Sequence, residues 1–339
     1  MVATSKDSGE KKAVETPDDR LPIVDLRNFA FDEAGAESIA REVDRIFSET
    51  GFCYLSNTGV PDELMVEIFE ASKAFHAQPQ ADKEALAINA YHRGYMAPKT
   101  SLIVTSSVAN VTKPNNSESL LIMHEVPEDD PRFGQDLQGP NQWPAKLPEF
   151  RETVTRYIDA LETLARRFTQ IIARALGLDP HALDHHFNRP TTFLRLLHYP
   201  PQPDAADDEF GSAPHTDYGF ITILLQDNVG GLEVRRRGGG WIRAVPVPGT
   251  FVINVGDILS RWTNGRWQST PHRVQNKNVV DRYSAPYFFD PDMAETITCL
   301  PACVPAGEAP RFEPVLYGDY LMERIDKNYQ YRKSVSGGA

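Results

Sequence analysis

From Thr191 onward the chain reads as a succession of short β-type segments divided by turn residues. "TTFLRLLHY", "FITILLQD", "GGLEVRR", "WIRAVPV", "TFVINVGDIL", "QSTPHRVQN", "RYSAPYFFD" and "TITCLP" make eight strand-like pieces at short, regular spacing. That many strands without intervening long helices call for an antiparallel barrel or jelly roll, in which few edges are left unpaired. Upstream the period changes. "GAESIAREVDRIFSET" sets Ile39, Val43, Ile46 and Phe47 at helical spacing, and residues 62–76 do the same with Leu64, Ile68, Phe69 and Phe75. "PQADKEALAI" reads as a third helix, and "LPEFRETVTRYIDALETLARRFTQIIARALGL" as one long amphipathic helix ended by Gly177 and restarted near "DPHALDHHF". "LPIVDL" and "GFCYLSNTG" read as strands, and "YGDYLMERIDKNY" as a closing helix.

The expected fold is therefore mainly β with α. A double-stranded β-helix (jelly-roll) core spans 191–330, preceded by a helical N-terminal region over 21–190 and closed by a C-terminal helix. Residues 1–20 are expected to be a disordered leader and 331–339 a tail. Residues 91–143 lack a sustained period and are expected to form a long lid-like loop.

Charge narrows the partners. The net charge is −12, and the densest basic run, Arg235-Arg236-Arg237, runs into three glycines as a hairpin tip would. No basic stripe for nucleic acid is present. Three cysteines make no disulfide framework, which fits a reducing cytoplasm, and no apolar run reaches the roughly 18 residues of a membrane span. Nothing in the sequence sets an oligomeric state.

Chemistry concentrates in "APHTDYGFITILLQD". In a strand, residues i and i+2 share a face, so His215 and Asp217 project together while Thr216 points away. A carboxylate sent into a barrel interior is costly unless a cation meets it. His272, in "STPHRVQN", lies on a strand that a jelly roll can bring alongside. Two histidines and a carboxylate on one face of an ion are the donor set of non-haem Fe(II) oxygenases, which leaves positions open for a co-substrate and O2. Alone, an H-x-D serves as a turn cap or surface ion pair. Here "RYSAPYF" adds Arg282 and Ser284 on one strand face, a planar fork and a hydroxyl suited to the distal carboxylate of a dicarboxylate.

H-x-D, a second His near 55 residues on, and R-x-S ten beyond it resemble the isopenicillin-N-synthase-like family of Fe(II)/2-oxoglutarate dioxygenases. "LRLLHYPPQP", "NVGDILSRWTNGRWQSTPHRV", "LPIVDL" and "GFCYLSNTGVP" extend the resemblance over residues 21–330. Within the family, "LRLLHYP", "HTDYG" and "GDILSRW" are most similar to thymine-hydroxylase-like members. The resemblance implies Fe(II) on His215, Asp217 and His272, and 2-oxoglutarate on Arg282, Ser284 and Tyr199. It also implies substrate contacts at Arg195, Tyr218 and Phe288. Where many plant members carry Asn in "NYYPPCP", this chain has Leu197, leaving Tyr199 and His198 to cover that ground. Arg93, in "HRGYM", opens the lid-like segment and is a further substrate candidate.

The implied activity is oxidation, most simply hydroxylation, of a small metabolite with release of succinate and CO2. Two alternatives share the fold: an Fe(II) oxidase that does not use 2-oxoglutarate, and a non-catalytic ligand-binding protein. A zinc hydrolase would need a general base beside the metal, and none stands out. His185-His186 is expected to be a surface pair, and Trp262 and Trp267 to be rim packing around a hairpin turn. Asn254, Gly256 and Asp257 are expected to shape a turn, and Gly219 to allow a close approach.

Overall fold

Period-two patterning sorts the side chains of each long strand into two separate cores. The computed structural model describes residues 20–27, 33–329 and 331–332. The leader over 1–20 and the tail over 331–339 lie outside these residues except for Arg20, Tyr331 and Arg332. The larger sheet contains β1 (Ile23–Asp25), β2 (Phe52–Ser56), β3 (Gly94–Met96), β4 (Glu118–Met123), β5 (Thr191–Tyr199), β7 (Ile221–Gln226), β10 (Phe251–Val255) and β12 (Arg282–Asp290). Its order is β1-β2-β10-β7-β12-β5-β4-β3. The smaller sheet is β6-β11-β8-β9, from β6 (Ser212–His215), β8 (Leu232–Arg235), β9 (Trp241–Arg243) and β11 (His272–Val274). The two sheets face one another as a jelly roll, the expected core.

On β7, Ile221, Ile223 and Leu225 face the helices; on β10, Phe251, Ile253 and Val255 do the same; on β12, Ala285, Tyr287 and Phe289. The alternate residues turn between the sheets, where Phe52, Tyr54, Leu197, Tyr199, Leu232, Val234, Val252 and Val274 form a smaller core. A one-residue slip would exchange the two faces, so the register is strongly specified.

The helices cover the outer face. α1 (Glu33–Glu49) buries Ile39, Val43, Ile46 and Phe47, and α2 (Asp62–His76) buries Leu64, Ile68 and Phe75 with Phe69 half-buried. α4 (Phe150–Ala175) lies against both and against the sheet, burying Val154, Tyr157, Leu161, Leu164, Phe168, Ile171 and Ile172. Each fully buried side chain of this kind is worth about 1.5–3 kcal/mol, which is what holds a helix of this length to the sheet. α3 is a single turn and a half, Gln80–Glu84, and "DPHALDHHF" forms only a 3-10 turn, Asp184–Phe187.

Several expectations change. The 21–190 region contributes four strands, β1 to β4, as well as helices. The 91–143 segment is not one loop: β3 and β4 lie inside it, and all six residues of β4 are buried between β3 and β5. "TFVINVGDIL" is a strand only to Val255, since Gly256 starts α5 (Asp257–Trp262). Trp262 and Trp267 are 1% and 0% exposed, so they are core and not rim. "TITCLP" supplies only β13 (Thr296–Ile297), which pairs with β14 (Val315–Leu316) outside both large sheets. The closing helix α6 (Tyr317–Asn328) forms as expected. His185 is exposed, whereas His186 is half-buried against Trp262 and bonded to Glu295 at 2.7 Å. Among the described residues no helix is long and apolar enough to cross a membrane.

Candidate metal and co-substrate site

β6 and β11 are antiparallel neighbours, and His215 and His272 are direct partners in their register. The 56 residues between them are thus closed by one strand pair. β6 ends at His215, so Asp217 lies in the following turn and not on the strand as the i, i+2 argument assumed. The turn still returns its carboxylate to the histidines because backbone bonds fix it. Asp257 N donates to Asp217 O at 2.8 Å, and Ile258 N donates to Gly219 O at 2.9 Å.

Asp217 Oδ1 lies 3.7 Å from His215 Nε2 and 3.6 Å from His272 Nε2. Its other oxygen, Oδ2, accepts hydrogen bonds from Thr222 Oγ1 at 2.5 Å and Asn254 Nδ2 at 2.7 Å. His215 Nδ1 faces Ala213 O at 2.8 Å, and His272 Nδ1 faces Thr270 O at 3.2 Å. Each carbonyl can only accept, so each Nδ1 carries the proton and each Nε2 presents its lone pair. Burial, then the neighbouring His272, lowers the His215 pKa to about 4, keeping the ring neutral. Burial alone would raise Asp217, but His272, His215 and the bonds from Thr222 and Asn254 outweigh it and hold the carboxyl below its usual range. Three donor atoms, two neutral imidazole nitrogens and one carboxylate oxygen, therefore converge within 4.8 Å of one another. This donor set fits a borderline divalent ion such as Fe(II).

The space beside the cluster has two lobes, of about 110 and 70 Å3, which share Asn115, Arg195, Ser212, His215, Asp217 and Phe288. The inner lobe ends at Arg282, which is 0% exposed. Its Nε and Nη2 have no hydrogen-bond partner among the described residues, and Nη1 lies 3.5 Å from Ser284 Oγ. The guanidinium rests 4.7 Å above the Tyr199 ring. A buried cation with two adjacent free donors is costly unless an anion meets it, and the free pair matches the two oxygens of a carboxylate. Arg282, Ser284 and Tyr199 are thus brought together as expected. His198, the other candidate for that ground, faces away from the lobe toward Glu118 and Asp281. Leu197 lines the lobe instead.

Arg195 and Phe288 line both lobes, and Tyr218 lines the outer one. Arg195 Nε donates to Ser119 Oγ at 2.9 Å, and the guanidinium has no acidic partner among the described residues. The Tyr218 hydroxyl accepts from Asn328 Nδ2. Arg93 lines neither lobe. Its fully buried guanidinium donates to the carbonyls of Tyr91 and His124 at 2.8 Å and Leu137 at 2.9 Å, pinning the two arms of the 91–143 segment together.

Sequence reasoning missed Asn254 and Thr222, which hold Asp217; both sit at inward positions of otherwise apolar strands, a signal that was present. It also missed the outer wall supplied by His92, Asn115, Asp290 and, from α6, Leu321, Ile325 and Asn328. Asp290 accepts from Phe220 N at 2.6 Å and Tyr317 Oη at 2.8 Å, and burial pushes its pKa up to about 7. Gly219 does allow a close approach, that of Asp290: a Cβ there would lie 1.7 Å from its Oδ1.

Comparison with known proteins agrees with this geometry. Residues 190–291 match the 2OG-Fe(II) oxygenase superfamily, and residues 21–146 match the family described as non-haem dioxygenase in morphine synthesis N-terminal. The 2-oxoglutarate-Fe(II) type oxidoreductase hxnY of Emericella nidulans is 35% identical over 319 residues, covering 91% of this chain and 90% of that one. Homoarginine-6-hydroxylase of Glycine max is 31% identical, covering 91% and 97%. Among solved structures, the full-length thymine hydroxylase of Neurospora crassa in complex with alpha-KG and thymine superposes with a TM-score of 0.80 at 30% identity, covering 91% of this chain and 96% of that one. A 2OG-Fe(II) oxygenase family protein from Caulobacter crescentus gives 0.79 at 30%, covering 91% and 99%. The chain belongs to the 2-oxoglutarate–Fe(II) oxygenase superfamily and is an oxidoreductase that uses Fe(II), 2-oxoglutarate and O2 to oxidise a small organic substrate.

Proposed function

We propose that His215, Asp217 and His272 hold the iron, that Arg282, Ser284 and Tyr199 seat 2-oxoglutarate in the inner lobe, and that the outer lobe takes the substrate. The observation carrying this reading is Arg282: a buried guanidinium with two donors unpartnered among the described residues, across one lobe from the His–Asp–His cluster. Iron with 2-oxoglutarate supplies O2 activation coupled to decarboxylation to succinate and CO2, and the substrate gains the second oxygen atom as a hydroxyl.

The chain supplies position and exclusion of water. Ala213 O and Thr270 O keep each imidazole in the tautomer that presents Nε2, and Asn254 and Thr222 turn Asp217 Oδ1 toward them. Ser284 donates beside Arg282, and the Tyr199 ring backs the guanidinium. Arg195, Tyr218 and Phe288 lie where a substrate in the outer lobe would touch them. Arg195, whose charge no described acid meets, suits a carboxylate or carbonyl at that end, and Phe288 a flat or aliphatic body. An outer lobe walled by Leu121, Phe193, Phe288, Leu321 and Ile325 suits a small metabolite. Arg93 acts on the pocket only through the 91–143 segment that it ties. The buried free thiols of Cys53 and Cys299 support a reducing, cytoplasmic setting.

The test is metal analysis and succinate release. His215→Ala, Asp217→Ala and His272→Ala should each lose bound iron and 2-oxoglutarate turnover. Full iron occupancy in any one of them would remove that residue from the site.

A further inference from the structure

β5 and β12 carry the two halves of the 2-oxoglutarate seat, and they do so at the very end of their ladder. Tyr199 and Arg282 form its last registered pair. Ladder ends open more readily than centres, so a seat built there needs a fastening of its own. His198, one residue before Tyr199, lies on the opposite face. Its Nδ1 is 2.8 Å from Glu118 Oε1 of β4, and its Nε2 is 2.7 Å from Asp281 Oδ1, one residue before Arg282. Its ring also stacks on Tyr283 of β12, centroids 4.9 Å apart.

Both partners offer carboxyl oxygens to the ring. Glu118 Oε2 already accepts from Lys83 Nζ of α3 at 2.7 Å and from the Tyr95 hydroxyl of β3. Burial would raise Glu118, but the donors His198, Lys83 and Tyr95 bring it down to about 2. Asp281 is half-exposed, its side chain 51% accessible. An imidazole between two carboxylates can bond both only when both ring nitrogens carry hydrogen. The remaining group facing it is His76 of α2, ring centroid 5.5 Å away, whose own pKa burial lowers to about 4, so it stays neutral.

We propose that His198 is a positioning residue, clamped as an imidazolium between Glu118 and Asp281, which keeps the strand ends bearing Tyr199 and Arg282 in register for 2-oxoglutarate. This rests on the reading of Arg282 as the carboxylate anchor. His198 touches neither lobe, so it acts only through the backbone of its neighbours. Burial opposes its charge, but the bonds from Glu118 and Asp281 prevail and raise its pKa. The clamp is therefore intact on the acid side of that raised value and is released as pH rises through it. Asn276 Nδ2 also bonds Tyr199 O at 3.0 Å and Val280 O at 2.9 Å, so loss of the clamp loosens the corner and does not unfold it.

The experiment is anaerobic titration of the Fe(II) protein with 2-oxoglutarate, from mildly acidic to alkaline pH, for wild type, His198→Gln, Asp281→Asn and Arg282→Lys. His198→Gln should weaken 2-oxoglutarate binding roughly fivefold or more at neutral pH, the scale of part of one charge-assisted hydrogen bond. Asp281→Asn should weaken it less. In turnover, KM for 2-oxoglutarate should move far more than kcat. Wild-type affinity should fall on the alkaline side, and His198→Gln should flatten that fall. Nitrogen-15 NMR of the wild type should find both His198 ring nitrogens protonated at neutral pH. Wild-type affinity or an unchanged pH profile in His198→Gln, or a neutral ring by NMR, would overturn the proposal. Should His198→Gln fail to fold, Asp281→Asn and the NMR measurement still decide. If Arg282→Lys is also without effect, the anchor reading itself has failed; if only His198→Gln is silent, the positioning role alone has.

Discussion

Replacing Arg282 with Lys separates a guanidinium that anchors a dicarboxylate from one that merely packs on Tyr199. Arg282 has two donors, Nε and Nη2, on the same edge of its plane, unpartnered among the described residues. A carboxylate meeting that edge makes two charge-assisted hydrogen bonds, and a lysine ammonium of different reach makes one. The loss is then about one such bond, about 1.5–3 kcal/mol, or roughly 10- to 150-fold in affinity. Thermal unfolding reads this directly. With 2-oxoglutarate at about 100 times the wild-type dissociation constant, binding stabilises the wild type by about 2.7 kcal/mol. For Arg282→Lys at the same concentration, the expression gives between about 0.3 and 1.4 kcal/mol. The assay is Tm with and without 2-oxoglutarate in the anaerobic Fe(II) protein, beside succinate formation against 2-oxoglutarate concentration. Iron content should stay near wild type, because Arg282 contacts none of the three donor residues. An undiminished 2-oxoglutarate stabilisation in Arg282→Lys would refute the argument, as would wild-type turnover without succinate.

Asn254→Leu leaves Asp217 Oδ2 with Thr222 alone, and iron affinity should fall roughly 10- to 100-fold, measured by competition with a chelator. Gly219→Ala drives a methyl into the Asp290 carboxyl and displaces the turn that carries Asp217; both Tm and iron content should drop, and a variant equal to wild type in both would contradict the packing described. Asp290 has a folded-state pKa raised from 3.8 to about 7, so the stability it confers in acid is lost as pH rises through that range; Asp290→Asn should flatten this part of the stability–pH curve measured by denaturant titration. Amide exchange across residues 101–116, which form no ladder with the described strands of the large sheets, should be faster than in β10, paired on both sides by β2 and β7.

What the sequence made legible was whatever local period or residue chemistry determines. The 62–76 helix ends where its apolar spacing ends, and Arg282 and Ser284 share a face because a strand has period two. The HTD turn shows the limit of that logic. The i, i+2 rule supposed a strand through Asp217, whereas the strand stops at His215, and bonds from Asp257 and Ile258 set the carboxylate's direction. No local signal in "APHTDYG" carries that information, since both donors come from a helix forty residues away. The same holds for β4, whose "ESLLIM" offered too short an apolar run to stand out inside a turn-rich stretch. It became a fully buried strand because β5 presented an unpaired edge.

The site's outer wall was illegible for a further reason. Leu321, Ile325 and Asn328 read from sequence as one face of a terminal amphipathic helix, and their spacing of four and three says only that they point together. What they point at depends on Tyr317 bonding Asp290, and on Asn328 bonding both Val104 N and the Tyr218 hydroxyl. These contacts join α6, the 101–105 segment and the residue next to Asp217. The two histidines of the cluster are set by strand pairing of β6 with β11, whereas the outer wall is assembled from α6, the 101–105 segment and the turn after β6, joined by the Ser101–Tyr329 bridge and the side chain of Asn328. The His–Asp–His cluster is thus legible as a motif, and the outer wall only as contacts among three distant segments.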